Sequence, residues 1–155
     1  MRRKDRLVTD ISKIVECLDK STALHVGISD SESTYVFPVN FGYELTDTSL
    51  TIYFHGAKQG RKAELAASSP NVGFCCETDT ETLHSDTACG FTEHFLSIIG
   101  TGRLEILEND GDKISGLNAI MKKVSGKEWE YPAEMLSMTN VYRITADEYS
   151  CKENR

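Results

Sequence analysis

A cluster of cations follows a short run of strand-forming residues and carries the clearest chemistry in the sequence. The stretch reads Leu50-Thr-Ile-Tyr-Phe-His-Gly-Ala-Lys-Gln-Gly-Arg-Lys62. Its first half is rich in strand formers, and a helical pattern then runs from Lys62 to Ala67. Arg61 and Lys62 follow Lys58 by three and four residues, so we expect all three to share one helical face. Cations beside the free N–H groups of a helix start would bind a phosphate.

The same cations could instead form a solvated basic surface. Their spacing from the two glycines, Gly56 and Gly60, does not match a P-loop. Composition alone does not decide between a phosphate receptor and a basic patch. The decision depends on the elements around the cluster.

Length and charge limit the function classes. The 155 residues are enough for one domain with a real core, which we place at residues 1–155. The net charge of −7, from 17 basic and 24 acidic residues, argues against nucleic acid as the main partner and suits a small anion better. The basic N-terminus lacks a following apolar segment, and no apolar run approaches membrane-spanning length. We therefore expect a cytoplasmic protein with no membrane segment.

The five cysteines read as reduced thiols, because their number is odd and no export signal is visible. One alternative is a zinc site, but its spacing matches no familiar one. Buried structural thiols are the preferred interpretation, and we predict no metal. The zinc alternative would use Cys75 or Cys76 with His84, Cys89 and His94.

Hydrophobic patterning predicts strands in meander order, with helices inserted between them. Thr9-Asp10 should cap a helix that ends near Lys20. A later helix should present Ile114, Leu117, Met121 and Val124 on one face, and residues 129–138 should form a loop or short helix. Residues 78–91 read as an exposed loop, and the tail after residue 146 reads as a charged extension. The predicted strands cover residues 22–29, 34–44, 50–54, 71–77, 91–106 and 139–146.

This arrangement favours a mainly β fold, a six-stranded antiparallel barrel with peripheral helices, over a parallel α/β sheet. The first three strands are joined only by short turns, which parallel strands do not allow. Pro38 cannot donate to a sheet ladder, so it marks an edge or a bulge. A bulge would free the backbone polar groups of Val39 and Asn40 to face a ligand.

Four motifs occur in order along nearly the whole chain. They are Met1–Arg6 with Thr9-Asp10-Ile11, Pro38–Tyr43, Tyr53–Lys58 with Gly60 and Lys62, and Ser97–Gly102. With these motifs, the sequence resembles the pyridoxamine 5′-phosphate oxidase-like split barrels that bind flavin mononucleotide (FMN), and within these the nitroimidazole-resistance branch. The arginine-rich substrate motifs of true pyridoxamine phosphate oxidases are absent from this sequence, so oxidation of vitamin B6 is not expected.

The resemblance implies a homodimer with two flavin sites at the subunit interface. The backbone of Val39, Asn40 and Phe41 would follow the isoalloxazine ring, and Lys58 and Lys62 would hold the phosphate with help from Arg61. His55 would lie near the ring, where a histidine can orient a substrate or deliver a proton. Further contacts implied for the site are Phe54, Gly56, Ala57, Ser97 and Trp129.

Two of these assignments have weaker support in the residues. Phe95 and Leu96 precede Ser97, where the family tends to carry an aromatic and a basic residue. Trp129 could close the pocket from the partner subunit or could anchor a small peripheral core.

The resemblance implies an FMN-dependent oxidoreductase that reduces small electrophiles such as nitro compounds, with reduced nicotinamide, NAD(P)H, as a donor. No dinucleotide fingerprint is visible, so a nicotinamide would bind only transiently. The alternative is a flavin or haem carrier without turnover, in which His55 or His25 would be an axial ligand.

Overall fold

Eight strands form one antiparallel sheet in the structure, a computed structural model that describes residues 3–30, 33–68 and 70–155. Four α-helices accompany them: α1 (Ile11–Lys20), α2 (Arg61–Ala66), α3 (Asp110–Ser125) and α4 (Ala133–Met138). The strands are β1 (Leu7–Val8), β2 (Leu24–Ser29), β3 (Thr34–Val39), β4 (Gly42–Leu45), β5 (Leu50–Ala57), β6 (Asn71–Leu83), β7 (Thr92–Ile106) and β8 (Thr139–Asn154).

The sheet curls into a split barrel. Its order is β3-β2-β6-β7-β8-β5-β4, with β1 added beside β8. The two end strands, β3 and β4, follow one another along the chain and are joined only by Asn40 and Phe41. The predicted fold class is confirmed, with 47% of the described residues in strands. The strand count differs from six because β1 was missed and the predicted strand 34–44 divides in two at this junction.

Pro38 lies on the edge strand β3, where it faces His25 of β2 and has no strand on its other side among the described residues. Of the two predicted alternatives, the edge is confirmed and the bulge is wrong, because the pairing of β2 with β3 continues without a register shift through Pro38 to Val39. Met1 and Arg2 of the N-terminal motif lie outside the described residues.

Helix α1 begins as predicted. Asp10 accepts a hydrogen bond from the backbone N–H of Ser12 at 2.9 Å and so caps the helix. Ile14, Cys17 and Leu18 then enter the main core against the inward faces of β6 and β7. The Cys17 thiol donates to the carbonyl of Leu96 at 3.5 Å, as expected for a buried structural thiol.

The loop predicted at residues 78–91 is wrong in its first half, because β6 continues to Leu83 and pairs with β7. The two strands extend beyond their neighbours as a ribbon. Glu81 and Thr82 are successive residues of β6, so their side chains lie on opposite sides of the ribbon, and both are exposed. Such a ribbon lacks the apolar alternation that identifies a half-buried strand. The charged tail is likewise a strand, since β8 pairs with β7 as far as Asn154.

Helix α3 packs on the outer face of the barrel, with Gly116 against β5 and β8. The buried positions of α3 are Lys113, Gly116 and Ile120, whereas Val124 of the predicted face is 65% exposed. The predicted face is wrong in this respect, because Gly116 allows close approach to Tyr53 and Val141 and turns the helix toward them.

Gly42 lies where β4 meets α3 without room for a side chain. A Cβ at this position would overlap the backbone of Ala119 and Ile120. We expect Gly42→Ala to destabilise the protein by about 1–3 kcal/mol, because a helix backbone cannot move aside as a side chain can. Urea unfolding would measure this loss.

Gly111→Ala is the matched control for Gly42→Ala. Its Cβ would make only an ordinary contact with Asn109 in the first turn of α3. Equal unfolding midpoints for Gly42→Ala and the wild type would contradict the close packing of α3.

Candidate functional site

Lys62 holds its ammonium group against three aromatic rings at the edge of the main core. Its Nζ lies 5.6 Å from the ring centre of Phe37, 5.7 Å from Phe54 and 5.4 Å from Tyr142. The lysine reaches these rings across Gly56, where a Cβ would collide with it. Glycine at this position therefore makes room for the cation, which the rings attract through their π-faces.

The charge of Lys62 has no counter-ion among the described residues, since no carboxylate lies within ion-pair distance of its Nζ. Burial lowers the pKa of Lys62 from its ordinary value. A partly desolvated cation without a partner is unfavourable, so an incoming anion would be stabilised here. This combination fits a phosphate or carboxylate of a ligand.

Lys58 does not share a helical face with Lys62, contrary to the prediction. It lies in the bend before α2, which begins only at Arg61, and its side chain is exposed. Gly60 lies between them with φ of 102°, a conformation that favours glycine. The two lysines therefore approach a ligand from different elements, the bend and the helix.

Arg61 is already occupied by the turn between β2 and β3. Its Nη2 donates to Ser33 at 2.7 Å and to Asp30 at 3.2 Å, and its guanidinium lies 5.5 Å from the Tyr35 ring. These contacts anchor α2 to the neighbouring turn. Among the described residues, Arg61 thus has a structural role that Lys62 lacks.

His55 lies on the outward side of β5, beside Val141 of β8. Its side chain is exposed, yet partial burial and then the charge of Lys62 lower its pKa from the ordinary value. The imidazole is therefore neutral at pH 7 and has one nitrogen able to accept a proton. His55 points outward from β5, whereas Lys62 extends from α2 across Gly56 toward the rings of the core.

The lowered pKa of His55 gives a stability prediction. Because the folded state resists protonation of His55, the unfolded state gains the proton first as pH falls through about 6.5, and stability falls. We expect His55→Gln to lose less stability than the wild type between pH about 7.5 and about 5.5. Urea unfolding at both pH values would measure the difference, and parallel losses would contradict the assignment.

At the junction of β3 and β4, two of the three predicted ring contacts turn their side chains inward. Val39 and Phe41 turn into the core, with Phe41 only 1% exposed, whereas Asn40 between them is exposed. Lys123 of α3 places its ammonium 3.9 Å from the Phe41 ring centre and covers the ring on that side. Any ligand at this junction therefore meets the main chain and Asn40.

Phe54 is fully buried and stacks on Tyr142, with ring centres 4.8 Å apart. Its ring contacts the Lys62 ammonium from the core side, so Phe54 does not line an open surface. Tyr142 was not identified from the sequence as a site residue. The alternating pattern of residues 139–146 predicts that Tyr142 shares a face with Ile144 and Ala146. It gives no indication of the contact with Lys62, because Lys62 is distant in sequence. Gly56 and Ala57 complete this part of β5, where the Tyr142 hydroxyl donates to the Ala57 carbonyl at 3.5 Å.

Ser97 and Trp129 lie away from this cluster within one chain. Ser97 is on β7, nine residues before Ile106, which pairs with Tyr142. That separation is about 30 Å along an extended strand. Trp129 packs on the end of α3, donating from its indole nitrogen to Ser125 at 3.0 Å, and is 45% exposed. Their contact with a flavin stays a prediction.

The model of the family described as pyridoxamine 5′-phosphate oxidase matches residues 10–153. The chain belongs to this family. The match spans every strand of the barrel except β1 and includes Lys58, Lys62 and the β3–β4 junction. No curated protein sequence matches the chain at a significant level.

Solved structures of similar fold support the family membership. A candidate 5-nitroimidazole antibiotic resistance protein from Bacteroides thetaiotaomicron is 25% identical, with a TM-score of 0.79 over 94% of this chain and 85% of that one. The FAD and heme binding protein from Mycobacterium smegmatis is 15% identical, with a TM-score of 0.82 over 97% and 74%. The flavocytochrome Anf3 from Azotobacter vinelandii is 19% identical, with a TM-score of 0.79 over 100% and 72%. The resemblance inferred from the four motifs is thus confirmed.

The zinc alternative finds no support in the described part of the chain, where histidines, cysteines and carboxylates form no group of three or more able to hold a metal. Cys76 is buried, whereas Cys89 is exposed at the tip of the β6–β7 ribbon. Within the same residues, no helix combines the length and the apolar character needed to span a membrane.

Proposed function

We propose that the protein is an FMN-dependent oxidoreductase that reduces small electrophiles such as nitro compounds, with a reduced nicotinamide as donor. The observation that carries the proposal is Lys62, a partly buried cation without a counter-ion among the described residues. Its Nζ lies 5.6 Å from the ring centre of Phe37 on β3, the strand that leads into the β3–β4 junction. The family membership and the nitroimidazole-resistance relative support the same reading.

Each part of the site has a defined task in this proposal. Lys62 and Lys58 bind the phosphate through charge-assisted hydrogen bonds. Asn40 and the backbone beside it, together with Gly56 and Ala57 of β5, orient the ring through donors and acceptors. The flavin, when bound, supplies the hydride and electron chemistry. Neutral His55 is able to take up or deliver a proton at the exposed side of β5.

The proposal includes a homodimer with the cofactor between subunits. Within one chain, Ser97 lies nine residues along β7 from Ile106, which pairs with Tyr142 beside Lys62. We therefore expect Ser97 and Lys62 to contact the same FMN molecule only from different subunits. Ser97 of the partner subunit could reach it, provided that the face carrying Ser97 binds a second copy. The outward side of the sheet from β3 to β8 is that face.

This outward face has exposed apolar side chains next to a glycine pair that leaves part of the sheet uncovered. Val36 is 60% exposed and Ile99 is 46% exposed. Gly27 and Gly73 pair with one another across β2 and β6, so no side chain covers the sheet between them. The glycine floor leaves space for Ile99 of a second copy, as an isologous interface requires.

Purification and titration would test the proposal. We expect the isolated protein to show flavin absorbance, or to bind added FMN when prepared flavin-free, and to reduce a nitroaromatic with NADH or NADPH. A protein that stays colourless and does not bind FMN would overturn it. Binding without turnover over a panel of donors and acceptors would instead favour a flavin carrier.

A further inference from the structure

A separate pocket of about 420 Å³ opens between α2 and the ends of β7 and β8. Its lining combines the apolar residues Ala63, Ala67 and Ile106 with the polar residues Lys58 and Asn140. Lys62 and the three rings around its ammonium are not among the lining residues. The pocket is therefore distinct from the aromatic cage of Lys62, which is formed by the rings of Phe37, Phe54 and Tyr142.

The pocket and the cage share a wall. Asn140 lines the pocket and donates from its side-chain amide to the Tyr142 hydroxyl at 3.3 Å. The Tyr142 ring in turn holds the Lys62 ammonium. A ligand whose phosphate binds between Lys58 and Lys62 would thus have the pocket directly beside that phosphate.

The lining favours a planar heteroaromatic group attached to a phosphate. The small side chains of Ala63 and Ala67, together with Ile106, give the pocket an apolar part against which a purine ring can pack. Gln59 and Asn140 have amide groups that match the donors and acceptors of a base edge. Lys58 makes no ion pair with any described residue and is free for a phosphate, and the volume lies in the range of small-molecule sites, about 300–1,000 Å³.

We propose that this pocket binds the adenosine phosphate half of a dinucleotide. The adenosine phosphate could belong to FAD, which would then replace FMN, or to the reduced nicotinamide donor. The inference rests on the proposed function, because the phosphate must lie at Lys58 and Lys62. Glu64, also in the lining, is then expected to face the base and not the phosphate.

Titration of flavin-free protein with FMN and with FAD, followed by flavin fluorescence, tests the first source. Titration of the FMN-loaded protein with ADP-ribose by calorimetry tests the second. Ala67→Phe fills the pocket from an exposed position at the end of α2, and Ser68→Phe adds the same bulk at the next residue, outside the lining. Thermal unfolding of both variants checks that they fold.

We expect one of two results. Either FAD binds at least about tenfold more tightly than FMN, or ADP-ribose binds the FMN-loaded protein. In both cases Ala67→Phe removes the effect, whereas Ser68→Phe and the wild type keep it. Equal affinity for FMN and FAD together with no binding of ADP-ribose would overturn the inference, as would an effect that survives Ala67→Phe. A protein that binds neither flavin would instead refute the proposed function itself.

Discussion

Replacing Lys62 with methionine should weaken flavin binding by about 1.5–3 kcal/mol, the range for a lost charge-assisted hydrogen bond. This corresponds to roughly ten- to one-hundred-fold in the dissociation constant. The reason is that Lys62 offers an ammonium with no competing carboxylate among the described residues and is already oriented by three rings. Fluorescence titration of flavin-free protein would measure the loss.

The stability of the flavin-free Lys62→Met variant should move in the opposite direction. Burial of the unpaired cation is unfavourable, and the thioether can occupy the same aromatic cage, so we expect a higher unfolding midpoint than that of the wild type. This opposite sign separates a lost ligand contact from general damage to the fold. Arg61→Ala is the matched control, because Arg61 is held by Asp30 and Ser33 and should affect flavin affinity less. Unchanged affinity in Lys62→Met would refute the phosphate assignment.

Replacing Ile99 with glutamate should convert the proposed dimer into monomers. Ile99 pairs with Cys75 and Ser150 at the centre of the outward face, so a dimer would bury two unpaired carboxylates there. Since the burial of an unpaired charge costs several kcal/mol, we expect dimer dissociation to rise by at least about one-hundredfold. Analytical ultracentrifugation over a concentration series would measure it.

The Ile99→Glu variant should also lose flavin affinity, although Ile99 makes no contact with Lys62 in its own chain. That coupled loss is the signature of a site shared between subunits. Val124→Glu places the same charge on an exposed apolar residue of α3, away from the outward face, and should leave both properties unchanged. A dimer that survives Ile99→Glu, or a monomer that retains full affinity, would show that the sites are independent of this face.

Local signals in the sequence identified the elements that carry their own pattern. Asp10 caps α1, and the helix ends at Lys20, as predicted. The strand–turn–helix order at residues 50–66 is predictable from the sequence. The strand formers come first, the glycines and cations follow, and a helical pattern comes last. The β6–β7 ribbon was missed because it is exposed on both sides, and a polar strand is indistinguishable from a loop without its partner.

Long-range contacts account for the remaining differences between the predicted and the observed structure. Whether Arg61 or Lys62 is free for a ligand depends on Asp30 and Ser33, some thirty residues earlier in the chain. The aromatic cage combines residues from β3, β5 and β8, and Lys123 covers Phe41 from α3. Sequence spacing carries no information on such contacts, because each of them depends on how the barrel closes.

Strand β8 has a consequence for how the chain folds during synthesis. It pairs with β1, β5 and β7, so it joins the two halves of the sheet, yet it is translated after every other strand described. A nascent chain that ends before Thr139 leaves β7 and β5 with unpaired edges and has no Tyr142 to complete the cage. Contacts of such long sequence separation slow folding, and we expect the barrel to close, and to become competent for its ligand, only once β8 has left the ribosome.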